Sequence, residues 1–157
     1  MINNAVGNPL LNDGPNFLSG HLEVNNEFGG LTLSDQKYDG KIRAKRISNN
    51  FEQLNTIIGI VATDAPLNRM QLKRMSIMCH GSISRSIHPS HTPMDGDTIF
   101  AISTSDKSLN FFEEINKLDL TIISTIASDT FSRACNRAIF EAKNIGSKPS
   151  WKDLFEN

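Results

Sequence analysis

The sequence predicts a mixed α/β domain, and three observations carry that prediction. Residues 56–64 form a nearly continuous β-branched apolar run, as in a strand buried in a sheet. Asn68 followed by Gln71 makes a capping box ahead of Leu72, Met75, Cys79 and Ile83 at helical spacing. A second apolar strand pattern, Asp97 to Thr104, precedes a long helical pattern over roughly 119–144. At 157 residues the chain is large enough for one domain with its own core.

Taken in order, Met1 to Leu10 reads as the tail of a strand running into a turn. Residues 12–50 are polar, punctuated by Gly14-Pro15, Gly29-Gly30 and Asp39-Gly40, and read as a long surface excursion. A short basic cluster lies within it at Lys41, Arg43, Lys45 and Arg46. The strand at 56–64 has the composition of one covered on both faces. Ala65-Pro66-Leu67 makes the turn into the capped helix, which runs to about Ser84. His88-Pro89 and Thr92-Pro93 hold the next stretch out of helix, so 87–96 is a loop. The long helix carries a stripe of Ile123, Ala127, Phe131, Ala134, Ala138 and Ala142, and Asn144-Ile145-Gly146 ends it as a glycine cap. The tail from Pro149 to Phe155 is apolar enough to dock.

Composition excludes several function classes. Sixteen basic residues against 17 acidic leave a net charge of -1, which gives no electrostatic case for nucleic acid or an anionic membrane. No run approaches the roughly 18 apolar residues of a membrane span. Two cysteines, Cys79 and Cys135, are too few for a disulfide framework. The amino terminus lacks the regions of a signal peptide, and the cytoplasm is the expected compartment.

Three constellations could carry chemistry. Thr56 starts a buried strand behind Asn55; a threonine hydroxyl needs a base, and an α-amine freed by cutting the preceding bond is one. The alternative is a turn residue leading into a core strand. Asp95 and Asp97 flank Gly96 just before the second strand, where they could orient a nucleophile, hold an amine or bind a cation; the alternative is a solvated Asp-Gly turn. His88 and His91 share the loop, and Cys79-His80 lies late in the helix. Neither pair has a zinc spacing, so loop or packing roles are expected. Arg85 could pair with Asp95 or Asp97 in a structural role.

Two blocks in register carry a family resemblance. Residues 55–67 (Asn-Thr-Ile-Ile-Gly-Ile-Val-Ala-Thr-Asp-Ala-Pro-Leu) and residues 85–100, centred on Pro93-Met94-Asp95-Gly96-Asp97-Thr98, resemble the two signatures of the β-aminopeptidases. That family comprises L-aminopeptidase/D-esterases and nylon-oligomer hydrolases. Asn4-Ala5-Val6-Gly7 and the segment from Pro149 to Leu154 resemble two further parts of it. The resemblance implies an αββα sandwich like that of the N-terminal nucleophile hydrolases, here incomplete. It implies a precursor cut between Asn55 and Thr56, with Thr56 as nucleophile, Asp95 and Asp97 as its acidic companions and Asn4 as an oxyanion donor. Residues 1–55 then read as a remnant of the α chain, largely loop, and 56–157 as the β chain, in an N-terminally truncated member.

The implied reaction is hydrolysis of peptides or amides with free amino termini, without metal or other cofactor. The implied partners are a second copy or a complementary α segment. The chain departs from the family pattern in three respects. It has no counterpart of the upstream catalytic lysine, Cys79-His80-Gly81-Ser82 replaces Ala-His-Asp-Gly, and Ile57 replaces a second threonine. A sheet without its α strands would leave open edges and an uncovered apolar face. The competing readings are an inactive truncated homologue serving as a structural or assembly remnant, and a metal-dependent transferase using Asp95-Gly96-Asp97.

Overall fold

A computed structural model describes residues 1–31, 37–44, 55–105 and 115–156. Leu54 and two members of the basic cluster, Lys45 and Arg46, lie outside the described residues.

One three-stranded sheet positions everything else. Its order is β1 (Ile2–Asn4), β2 (Thr56–Thr63), β3 (Thr98–Ser103), with β1 antiparallel and β3 parallel to β2. The parallel pair is joined through α1 (Arg69–Ser86), the crossover that parallel strands require. The capping box at Asn68 and Gln71 forms as the sequence predicts, and Met75, Cys79 and Ile83 are buried. Helix α2 (Lys117–Phe140) packs against α1, and a short α3 (Trp151–Phe155) closes the chain. No helix among the described residues is long and apolar enough to cross a membrane.

Both long helices cover one face of the sheet. Ile57, Val61, Ile99 and Ala101 meet Met75, Cys79, Ile83, Phe131 and Cys135 there. Gly59 permits the closest approach: a Cβ at this position would lie 2.3 Å from the Phe131 ring. Among the described residues the opposite face is open, which corrects the expectation that β2 is covered on both sides. Burial in β2 and β3 alternates with period two, and the outward positions are apolar apart from Thr56 and Thr98 at the strand starts. Ile60 is 66% and Phe100 54% exposed, and Ile2, Ile58 and Ile102 lie on the same face. A continuous apolar run does not distinguish a buried face from an unpartnered one, because both faces of the strand look alike in sequence.

The helix pair differs from its predicted stripe. The fully covered side of α2 is Ser124, Ser128, Phe131, Ser132, Cys135, Asn136 and Phe140, while Ala134 and Ala138 are half-buried and Ala142 is exposed. Serine hydroxyls supply the close contact between helices: Ser132 Oγ donates to the Ser82 carbonyl at 3.2 Å and Ser128 Oγ to Met78 at 3.1 Å. Short polar side chains that bond to the neighbouring helix backbone can be buried without loss, so an apolar-periodicity reading shifts by one residue. The helix also ends at Phe140, before the glycine at 146.

The excursion after β1 holds only a single 3-10 turn, at Gly20–Leu22, among its described residues, yet it builds a second core. Phe17 and Phe28 bury against Phe140 and Trp151, with Phe17 stacked on Trp151 at 5.6 Å. Trp151 Nε1 donates to the Pro15 carbonyl, so the docked tail pins the excursion to the end of α2. Glu27 adds an ion pair with Arg133 of α2.

Candidate functional site

The site lies where the end of β1 and the starts of β2 and β3 meet. Strand register brings Asn4 opposite Thr56 on β1, and an isolated bridge sets Asn55 beside Asp95. The five residues singled out as chemical (Asn4, Asn55, Thr56, Asp95 and Asp97) thus converge from three separate segments.

Gly96 is the hub. Its N–H donates to the Asn55 carbonyl oxygen at 2.9 Å, and its own carbonyl accepts from Thr56 Oγ1 at 2.7 Å. The glycine leaves the Asn55–Thr56 junction uncrowded: a Cβ there would stand 3.7 Å from Thr56 Oγ1 and 3.9 Å from the Asn55 oxygen. Asn55 is buried, whereas Thr56 is half-buried and shares the open face of the sheet with Ile58. A carbonyl partner orients the hydroxyl but does not remove its proton, so a base has to come from another group.

The two carboxylates have separate duties. Asp95 folds its own loop, accepting from Thr92 N at 3.0 Å and Thr92 Oγ1 at 2.8 Å, and ties that loop to the chain beyond β1 through Val6 N at 3.2 Å. Asp97 accepts from Ile57 N at 2.9 Å through one oxygen and meets His91 Nδ1 at 3.0 Å through the other. Its carboxylate is 4% exposed. The residue after Thr56 is therefore anchored by a buried acid.

Other residues fall differently from expectation. Arg85 turns away from Asp95 and Asp97 and pairs with Asp129 at 2.7 Å and Ser128 at 2.8 Å. A helix-end arginine reaches the neighbouring helix more readily than a loop behind its own. His88 contacts Tyr38. His91 is the residue that sequence reasoning undervalued, having been assigned to loop or packing roles; the available signal was its six-residue spacing from Asp97 across a turn. Cys79 and Cys135 are buried, and burial pushes their thiols up to about 11 and about 12, so neither is a nucleophile at neutral pH.

His80, His91 and Asp97 bring three potential ligand atoms within 4.8 Å of one another. The two imidazoles are stacked, with ring centroids 4.3 Å apart and planes 9° from parallel. A metal bound to an imidazole lies in the ring plane, and two nearly parallel stacked planes do not share such a point. Both nitrogens of His91 are also engaged, the second with the His80 carbonyl at 3.2 Å. The cluster is a hydrogen-bonded network around Asp97.

Residues 11–150 match the model of peptidase family S58. An uncharacterized aminopeptidase of Mycobacterium tuberculosis is 31% identical over 107 residues, covering 64% of this chain and 31% of the relative. One from Mycobacterium leprae is 30% identical over 118 residues, 70% of this chain and 32% of the relative. A 6-aminohexanoate-oligomer endohydrolase of Agromyces sp. is 29% identical over 99 residues, 63% of this chain and 28% of the relative. The chain spans about a third of the length of these curated relatives.

Proposed function

The chain belongs to peptidase family S58, and from that premise we propose that Thr56 is the nucleophile of an amide hydrolase that first cuts its own Asn55–Thr56 bond. One observation carries the reading: the hydroxyl and the carbonyl that would react are both bonded to Gly96, and the Gly96 N–H polarises the Asn55 carbonyl.

In the proposed sequence Thr56 Oγ1 adds to the Asn55 carbonyl carbon, and the developing oxyanion is held by the Gly96 N–H and by Asn4. A donor in that position is typically worth about 2.7–4 kcal/mol. The C–N bond then breaks, the proton given up by Oγ1 on attack passes through solvent water to the Thr56 nitrogen as it leaves, and an Asn55 ester remains on Oγ1. Water hydrolyses the ester, leaving an Asn55 carboxylate and a free Thr56 amine beside its hydroxyl. That amine is the base for the second reaction, attack of Oγ1 on a peptide or amide substrate with a free amino terminus. Asp97 holds the Ile57 amide and so the start of β2; Asp95 holds the loop that presents Gly96. No metal or cofactor enters the scheme.

Turnover tests this directly. The purified protein is expected to hydrolyse an aminoacyl p-nitroanilide, a β-peptide or an aminohexanoate oligomer, and Thr56→Ala to lose that activity. Absence of hydrolysis by a fully cleaved protein would overturn the hydrolase assignment.

The open face of the sheet favours a second reading, in which the chain is an inactive homologue that serves as a structural or assembly element. Ile2, Ile58, Ile60, Phe100 and Ile102 form an apolar surface of the kind that protein–protein contacts cover. In this reading a second copy or a complementary α segment lays a second sheet there, giving the αββα sandwich. Light scattering separates the readings when paired with the turnover assay: a stable oligomer without hydrolysis supports assembly alone.

A further inference from the structure

We propose that His91, as an imidazolium, is the charged clamp that fixes Asp97 beneath the Ile57 amide and so positions the start of β2. The inference rests on the reading of Thr56 as nucleophile only for its consequence in catalysis; the clamp itself is a statement about His91, Asp97 and Ile57.

His91 Nδ1 faces a carboxylate oxygen of Asp97 at 3.0 Å and Nε2 faces the His80 carbonyl at 3.2 Å. Both partners accept only. A neutral imidazole has one N–H, so in either tautomer one contact sets lone pair against lone pair; the imidazolium donates to both. The buried Asp97 carboxylate, 4% exposed, gains the counter-charge that a desolvated anion requires.

Among the described residues the ion pair of Asp97 is the one with His91, and the Met1 ammonium acts on the neighbouring Cys135. From α1, His80 offers His91 its ring face, and Arg85 is committed to Asp129. From α2, the neutral Cys135 thiol lies near Asp97. On the loop itself Asp95 is turned to Thr92 and Val6, and His88 to Tyr38. His91 reaches its place through a backbone φ of +53°, a conformation a non-glycine residue adopts only where the surrounding structure imposes it.

His91 is thus a positioning residue. It touches neither the hydroxyl nor the Asn55 carbonyl, and acts through Asp97 on the Ile57 N–H one residue from the nucleophile.

The test is NMR on the Thr56→Ala chain, which stays uncut regardless of whether the parent cuts itself. In a titration from about pH 5 to pH 9, both His91 ring nitrogens carry protons at the acidic end, and the Ile57 amide resonance moves with the same midpoint as the His91 ring. In His91→Gln the Ile57 amide no longer titrates; in His91→Lys it stays at its low-pH position throughout. All three variants share the backbone strain at position 91, so strain does not distinguish them. An Ile57 amide that ignores the His91 titration overturns the clamp, as does a His91 ring carrying one proton at the acidic end.

A second arm follows cleavage at Asn55–Thr56 in chains with Thr56 intact. His91→Gln is expected to slow it by up to about 100-fold, the scale of a misplaced reacting group, while His91→Lys restores it and flattens its pH profile. Failure of any variant to cleave, with the NMR coupling intact, counts against the nucleophile assignment and leaves the clamp standing.

Discussion

The Gly96 amide donates to the Asn55 carbonyl oxygen at 2.9 Å, placing a backbone donor on the one peptide bond that the nucleophile reading needs to activate. The same residue holds the Thr56 hydroxyl. The segment Asp95-Gly96-Asp97 thus bonds through its centre as well as its carboxylates: the acids fix the backbone on either side, and the glycine holds the Asn55 carbonyl and the Thr56 hydroxyl.

Asp97 should separate folding from positioning. In Asp97→Asn the amide oxygen still accepts from Ile57 N, but the charge that pairs with His91 is gone, so the fold is expected to persist while cleavage slows. Asp97→Ala removes the acceptor as well, and an unsatisfied buried N–H costs about 1–3 kcal/mol. Denaturant melts of both variants beside a cleavage time course check this.

Gly59 sets the distance between the sheet and α2. Gly59→Ala is expected to destabilise the fold by about 1–3 kcal/mol, because the added methyl would lie 2.3 Å from the ring of Phe131, a buried core residue. Pairing it with Phe131→Leu should recover part of the loss; two additive losses in urea melts would show that the contact is not the cause.

The excursion is tied to α2 through Glu27. The hydrogen bond from Arg133 holds the Glu27 carboxyl below its ordinary 4.5. A depressed folded value means that the pair stabilises above the unfolded value and that this is lost as pH falls through the lower folded one. Glu27→Gln is therefore expected to cost about 0.5–1 kcal/mol at neutral pH, as for a partly solvated ion pair, and nothing once the carboxyl is protonated. Thermal melts of both proteins from about pH 3 to pH 7 should converge at the acidic end.

The two thiols are expected to be silent. With burial raising them to about 11 and about 12, Cys79 and Cys135 should resist iodoacetamide in the folded protein and react on unfolding. Mass spectra before and after denaturant check this, and alkylation without denaturant would show that the helix pair opens.

The local elements were legible because their signals are local. Asn68 and Gln71 announce a helix start through a reciprocal hydrogen bond, and the β-branched run from Thr56 marks a strand wherever it is placed. What stayed hidden depends on partners distant in sequence. Phe17 and Phe28 look like scattered apolar residues until Trp151 arrives to cover them. The α1–α2 contact is built on serines, which an apolar count passes over. Thr56, Asp95 and Asp97 stand out by type and spacing, whereas the part played by Gly96 is made by its backbone, and that of His91 by a positive φ and a second acceptor from His80.

Intact-mass spectrometry of the freshly purified chain, followed over days beside Thr56→Ala, reads the Asn55–Thr56 bond itself. If Thr56 is the nucleophile, two fragments, residues 1–55 and 56–157, appear in the parent protein alone. A parent chain that stays whole, or a Thr56→Ala chain cut at the same bond, would contradict that role.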